Sequence, residues 1–300
     1  MKIPPVLVPL LMAALLCLSG LTSSAWAQEA PPPVSWDELK ERYANYGKSP
    51  MVTEVAQTDA EFRLSHISFA NAKGDTVTGL LLLPKKEGRY PVALLLHGYN
   101  SDKESMVKFF GRPLATKGIA CLALDAFQHG ERKKESGDGS GGSAFLAILR
   151  NTIPDWRQAI DYLSTRKDMD LKRLSVFGYS MGSMMGSILS AVDERIKAAA
   201  FCVGGDFTAP MVSKVPPAVR LDVAAASPSL FISHISPRPV LLLNALNDKT
   251  IAKEMAQRLQ DAAKEPKTIL WVDGGHIISP TDAEKARAWL ISYLLNTTSK

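Results

Sequence analysis

The residues best placed to do chemistry are Gly178-Tyr179-Ser180-Met181-Gly182. A serine between flanking glycines can sit on a turn too sharp for larger side chains, with its Oγ presented outward. Serine is a weak nucleophile until a base takes its proton, so acyl-transfer chemistry at Ser180 asks for a histidine. The chain has five histidines. His276, in Asp273-Gly274-Gly275-His276, follows an apolar run and so belongs to a loop at a strand's end. His66 falls in an early alternating segment, while His129 and His234 fall in irregular stretches. Those three read as structural or solvated. The base in turn needs an acid to fix its tautomer. Asp248, in Asn244-Ala245-Leu246-Asn247-Asp248, is the favoured acid. Asp273 is a competitor too close in sequence to His276, and Asp125 reads as a residue tying down its own loop. A tetrahedral intermediate also needs N–H donors aimed at its oxyanion. The backbone N–H of Met181, directly after the serine, is one. The N–H of Tyr99, in His97-Gly98-Tyr99-Asn100, is the other, with Gly98 allowing a tight turn and His97 bracing the loop.

These residues need strands that end together. Val92–Leu96 and Gly118–Leu124 are short apolar runs of the kind buried on both faces of a sheet. Arg173–Phe177, Ile196–Val203, Pro239–Leu243 and Thr268–Val272 read the same way. Helical patterns lie between them at 101–117, 144–166 (interrupted at Pro154), 180–191 and 251–263, with a closing amphipathic helix at 281–295. Strand-helix alternation means a mostly parallel sheet covered by helices on both sides. Ahead of it, 62–69 alternates apolar and polar, 71–75 turns, and 76–83 returns, a β-hairpin. Ser35 caps a short helix bearing Trp36, Leu39 and Tyr43. The stretch 128–143 is charged and Gly-rich, a surface loop by composition. The stretch 207–237 is rich in Pro and Ala and stands where a small cap could cover the site, with Met211, Val212, Leu230 and Phe231 available as apolar lining.

The first residues follow a different logic. Lys2, the apolar run 6–18 and Ser24-Ala25-Trp26-Ala27 have the layout of a secretory signal peptide, residues 1–27. The apolar core is about 13 residues, against about 20 needed to span a bilayer. Export to the periplasm or the medium is expected, without stable membrane insertion after cleavage. Residues 28–60 read as a linker and helix, and 61–300 as one catalytic domain. The net charge of +5 comes from scattered basic residues and gives no nucleic-acid footprint. The histidines are too dispersed for a metal cluster, and neither metal nor organic cofactor is expected.

From about Phe62 onward the chain resembles the α/β-hydrolase superfamily. The likeness is to the group related to dienelactone hydrolases, acetyl-xylan and feruloyl-type esterases and prolyl oligopeptidase catalytic domains. It rests on the His97-Gly98 loop, the Asp125…His129-Gly130-Glu131 stretch, the Ser180 elbow, the Pro237-Arg238-Pro239 lead into a strand ending near Asp248, and Gly275-His276. The resemblance implies an α/β fold with an eight-stranded, mostly parallel sheet and a small cap at about 207–237. It implies an active site of Ser180, Asp248 and His276, in the chain order of this fold. Dienelactone hydrolases proper carry a cysteine where this chain has Ser180, and no propeller is expected ahead of the domain.

Two strands would separate Cys121 from Cys202 in the family's order, placing them on the order of 14 Å apart. A disulfide needs Cα atoms within about 7 Å, so two buried free thiols are expected. The activity implied is hydrolysis of carboxylic esters, short-chain, acetyl or aromatic, on a small or polymer-attached substrate. A serine peptidase or amidase could use the same three residues. A non-catalytic binding protein would be expected to have lost one of them.

Overall fold

Runs that are apolar at every position need cover on both sides, and they form the centre of a single sheet. The computed structural model describes residues 33–133 and 142–295. The expected signal segment and residues 134–141 of the Gly-rich stretch lie outside them. The strands are β1 (Thr53–Gln57), β2 (Phe62–Ala70), β3 (Thr76–Pro84), β4 (Tyr90–Leu96), β5 (Ala120–Leu124), β6 (Met169–Tyr179), β7 (Ile196–Cys202), β8 (Val240–Ala245) and β9 (Lys267–Val272). Their order is β1-β2-β3-β5-β4-β6-β7-β8-β9. Pairs β1–β2, β2–β3 and β3–β5 are antiparallel, and every pair from β5 across to β9 is parallel.

The helices are α1 (Trp36–Glu41), α2 (Lys103–Met106), α3 (Arg112–Ala115), α4 (Gly142–Thr165), α5 (Met181–Val192), α6 (Pro217–Ala224), α7 (Lys253–Ala262) and α8 (Pro280–Leu295). Alternate residues of each central strand enter opposite cores. Leu94, Leu96 and Val176 pack with Trp156 and Ile160 of α4 and Met184 and Ile188 of α5. Ala93, Leu95 and Phe177 pack with Phe110 and with Ala286 and Leu290 of α8. Leu94, Leu95 and Leu96 are wholly buried, worth about 2 kcal/mol each relative to exposure.

The sheet has nine strands, one more than expected. The addition is β1, inside the segment read as linker. All five of its residues are exposed, so no apolar alternation marks it. It pairs with β2 through its backbone, and Glu54 is held by Tyr162 and Arg166 of the α4 end.

Helix α4 also departs from expectation by running straight through Pro154. The turn before the proline has Asn151 and Thr152 side chains bonded back to the Ala147 and Ile148 carbonyls. An interior proline costs about 3 kcal/mol. One buried stripe, Leu149, Ile153, Trp156, Ile160 and Leu163, spans both halves and outweighs that cost. The segment expected to be helical over 101–117 is helical from Lys103 to Ala115, with a π turn at Val107–Gly111 between α2 and α3.

Cys121 on β5 and Cys202 on β7 have β4 and β6 between them, and both are buried free thiols. Burial pushes both well above the ordinary thiol value.

Candidate active site

The chain passes from β6 into α5 through one residue, Ser180, with φ 54° and ψ −116°. A positive φ in a non-glycine residue stores strain of about 1–3 kcal/mol. The surroundings impose it. A Cβ on Gly178 would sit 2.4 Å from the Gly182 carbonyl oxygen, and one on Gly182 would sit 1.9 Å from that of Leu96. Only glycine fits at either position. The Ser180 N–H donates to the Cys202 carbonyl at 2.8 Å. Ser183 donates its hydroxyl to the carbonyls of Gly178 and Cys202, at 2.9 and 2.7 Å, pinning the turn from below. Ser183 is buried in a helix, and nothing in its spacing distinguishes it from a core serine.

The loop after β9 brings His276 to this serine. His276 Nε2 lies 2.8 Å from Ser180 Oγ, and its Nδ1 lies 2.8 Å from Asp248 Oδ2. The carboxylate can only accept there, so Nδ1 carries the proton and Nε2 is left to accept from Ser180. Asp248 Oδ1 accepts the N–H groups of Thr250 and Ile251, at 2.8 and 2.9 Å, which fixes its plane. Burial raises the Asp248 carboxyl, but the bonds from His276, Ile251 and Thr250 outweigh it and hold the group below the ordinary carboxylate value. Of the competing acids, Asp273 is exposed. Asp125 is wholly buried among Lys103 Nζ (2.8 Å), the Lys103 N–H (3.1 Å) and Thr78 (2.8 Å).

The loop after β4 lies over the elbow. A Cβ on Gly98 would approach the Ser180 Cβ to 3.3 Å. His97 latches this loop to the one after β5. Its Nε2 accepts the Ala126 N–H at 2.9 Å and its Nδ1 donates to the Gly98 carbonyl at 2.8 Å. Burial lowers His97 to about 4, so the ring is neutral and keeps this tautomer. Met181 opens α5, so its N–H is among the first four of the helix and has no partner within it. Tyr99 follows Gly98 at the rim with a 40% exposed side chain.

A row of rings leads from that rim to the cap. Tyr99 meets His129 edge-on at 5.2 Å and Phe145 at 6.3 Å, and Phe145 meets Phe207 at 5.1 Å. His129 is therefore not a solvated loop residue but a buried ring beside Tyr99 and His97, its value lowered by burial. Its loop, read from composition as surface, is anchored at its described start. Lys103 Nζ reaches Glu131 at 2.7 Å, and Arg132 reaches Asp155 at 2.8 Å. His66 bonds Glu131 at 3.2 Å.

The cap is helix α6 with three short turns at Ala209–Met211, Pro228–Leu230 and Ile232–His234. Asp206, wholly buried at its base, accepts from Thr208 N–H and Oγ1, from Ala209 N–H and from the N–H and hydroxyl of Ser229. Helix α1 and the two residues after it clamp it from outside. Tyr43 donates to the Ala225 carbonyl at 2.6 Å, Arg42 pairs with Asp222 at 2.7 Å, and Trp36 stacks on His234 at 3.7 Å. Phe231 is not pocket lining. It is wholly buried, edge-on to Trp36 and Tyr43.

The alpha/beta hydrolase fold family model matches residues 91–231. The esterase YjfP of Escherichia coli is 26% identical over 231 residues, covering 70% of this chain and 92% of that protein. An uncharacterised Pseudomonas aeruginosa protein is 26% identical over 188 residues, and the chain spans about half of it, 49%. Acetyl xylan esterase 1 from Thermoanaerobacterium sp. superposes with a TM-score of 0.72 at 16% identity, covering 88% of this chain and 95% of that one, a likeness of fold. Topology, family match and superposition agree that the chain has the alpha/beta hydrolase fold.

Proposed function

We propose that the chain is an exported serine esterase. The observation that carries this is the unbroken row Asp248–His276–Ser180, with both links at 2.8 Å and the serine held on a strained elbow. Ser180 Oγ attacks the ester carbonyl as its proton passes to His276 Nε2. Asp248 stabilises the imidazolium that forms. The N–H groups of Met181 and Tyr99 hold the oxyanion. The intermediate collapses, the C–O bond to the alcohol breaks, and the alkoxide takes the proton from His276. Water then attacks the acyl-Ser180 ester, gives its proton to His276, and the acid leaves as the proton returns to Ser180. The esterase named among the relatives supports this class of reaction.

The rings of Tyr99, His129, Phe145 and Phe207 run from the loop beside Ser180 to the cap, and we take them as an aromatic wall for the substrate. Flat faces of this kind favour a small acyl group on an aryl or sugar ring over a long alkyl chain. The test is hydrolysis of p-nitrophenyl esters, acetate through decanoate, by the mature protein beside Ser180→Ala. Activity on the short esters that vanishes in the variant is the expected result. Activity surviving in Ser180→Ala would put the nucleophile elsewhere. Export is tested separately, by sequencing the N-terminus of the protein recovered outside the cytoplasm, which should begin at Gln28.

A further inference from the structure

The loop that carries His276 has little regular structure of its own. It runs from Val272 to Pro280 between β9 and α8, with Gly274 at φ +115° and Ile277 82% exposed. Asn247 N–H holds its start at the Gly274 carbonyl, 2.9 Å away. Around His276 itself the backbone is held by a side chain. The Tyr179 hydroxyl donates to the His276 carbonyl at 2.7 Å and accepts the Ile278 N–H at 3.2 Å. Tyr179 is the residue immediately before Ser180. Its ring packs against Phe110 at 5.8 Å and stands edge-on to the His276 ring at 6.2 Å. Burial raises the phenol, so it stays protonated and remains a donor.

We infer that Tyr179 is a positioning residue for the general base: its hydroxyl, bonded on both sides of Ile277, sets the distance from His276 to Ser180. The residue that precedes the nucleophile would then fix the loop of the base as well, so one rigid strand end sets both partners. Proton transfer needs heavy atoms within about 2.6–3.2 Å, and the loop has no strand or helix hydrogen bonds to supply that precision. The inference rests on the reading that Ser180 and His276 do the chemistry.

Tyr179→Phe keeps the ring and deletes both hydrogen bonds. The expected result with p-nitrophenyl acetate is a kcat about tenfold lower and a KM within about twofold, the split of an interaction that matters to proton transfer and not to binding. The melting temperature should stay within about 3 °C. A kcat within twofold of wild type, a loss carried by KM, or a loss that tracks a lowered melting temperature would each overturn the assignment.

A ring-fluorinated tyrosine at position 179 tests it without deleting an atom. Activity should match wild type while that phenol is protonated and fall as it ionises, because a phenolate cannot donate to the His276 carbonyl. Absence of that alkaline limb would also overturn the assignment. Ser180→Ala separates the two levels. If that variant is inactive and Tyr179→Phe is unimpaired, only the positioning role falls. If the wild type hydrolyses no ester, the esterase reading itself falls.

Discussion

Asp248→Asn should be far more damaging than the loss of one hydrogen bond, and the geometry says why. Asp248 Oδ1 accepts two backbone N–H groups, from Thr250 and Ile251. An asparagine must keep its carbonyl oxygen there, because its NH2 group cannot accept. The NH2 then faces His276 Nδ1, 2.8 Å from the present carboxylate oxygen, and as a donor it requires Nδ1 to be the acceptor. The ring proton moves to Nε2, the atom that must accept from Ser180 Oγ. The variant thus holds the base in its inactive tautomer and also loses the charge that stabilises the imidazolium. Together these are worth about 10³–10⁴ in kcat, or about 4–5.5 kcal/mol of transition-state stabilisation. The assay is kcat for p-nitrophenyl acetate, with near-ultraviolet circular dichroism to confirm native packing. A folded Asp248→Asn protein within tenfold of wild type would refute the tautomer argument and reopen the choice of acid.

Gly182→Ala should destabilise by at least about 3 kcal/mol, because a Cβ 1.9 Å from the Leu96 carbonyl oxygen meets backbone that no rotamer change can move; a denaturant midpoint close to wild type would contradict the packing of the elbow. Asp125→Asn should cost about 2 kcal/mol at pH 7, less than a fully orphaned lysine would, because Glu104 and Glu131 remain on Lys103 Nζ. Burial raises the Asp125 carboxyl and its bonds with Lys103 and Thr78 outweigh that, leaving it below the ordinary value. A depressed folded-state value gives stability that is complete above the unfolded value, about 3.9, and lost as pH falls through the folded one. The gap between wild type and variant in thermal melts should therefore be full at neutral pH and close only in strong acid; a gap that is constant down to the lowest pH would contradict the assignment. Phe145→Ala removes the middle ring between Tyr99 and Phe207, and should lower kcat/KM for an aryl ester about five- to tenfold more than for ethyl acetate; equal losses would remove the aromatic wall from specificity.

The sequence exposed most of what is buried and periodic. Strands β4 to β8 were readable because two-sided burial writes runs such as Val92–Leu96, and β9, an edge strand with one buried residue, was readable from its apolar run Ile269–Val272. That Ser180, Asp248 and His276 would meet was readable because loops at the carboxyl ends of parallel strands converge. Strand β1 was not readable, since an edge strand with five exposed residues leaves no pattern. Nor was the continuity of α4, where a long buried stripe overrides what Pro154 prefers locally. The clamp of α1 on the cap was hidden for another reason. Tyr43 and Ala225 are 182 residues apart, and the helical spacing of Trp36, Leu39 and Tyr43 shows an apolar face without showing its partner. Asp206 and Tyr179 were missed in the same way, because a carboxylate that collects backbone donors and a phenol that bridges a loop have no signature in spacing.

The most direct test of the account is the acyl-enzyme itself. Rapid quenching of the mature protein in acid, milliseconds after mixing with p-nitrophenyl acetate, followed by peptide mass spectrometry, should find an acetyl group on Ser180, on the peptide that also holds Tyr179 and Met181. A stopped-flow burst of p-nitrophenol should accompany it at up to one equivalent. Rapid turnover with no acetyl on Ser180, or with the acetyl on another residue, would contradict nucleophilic catalysis at the elbow.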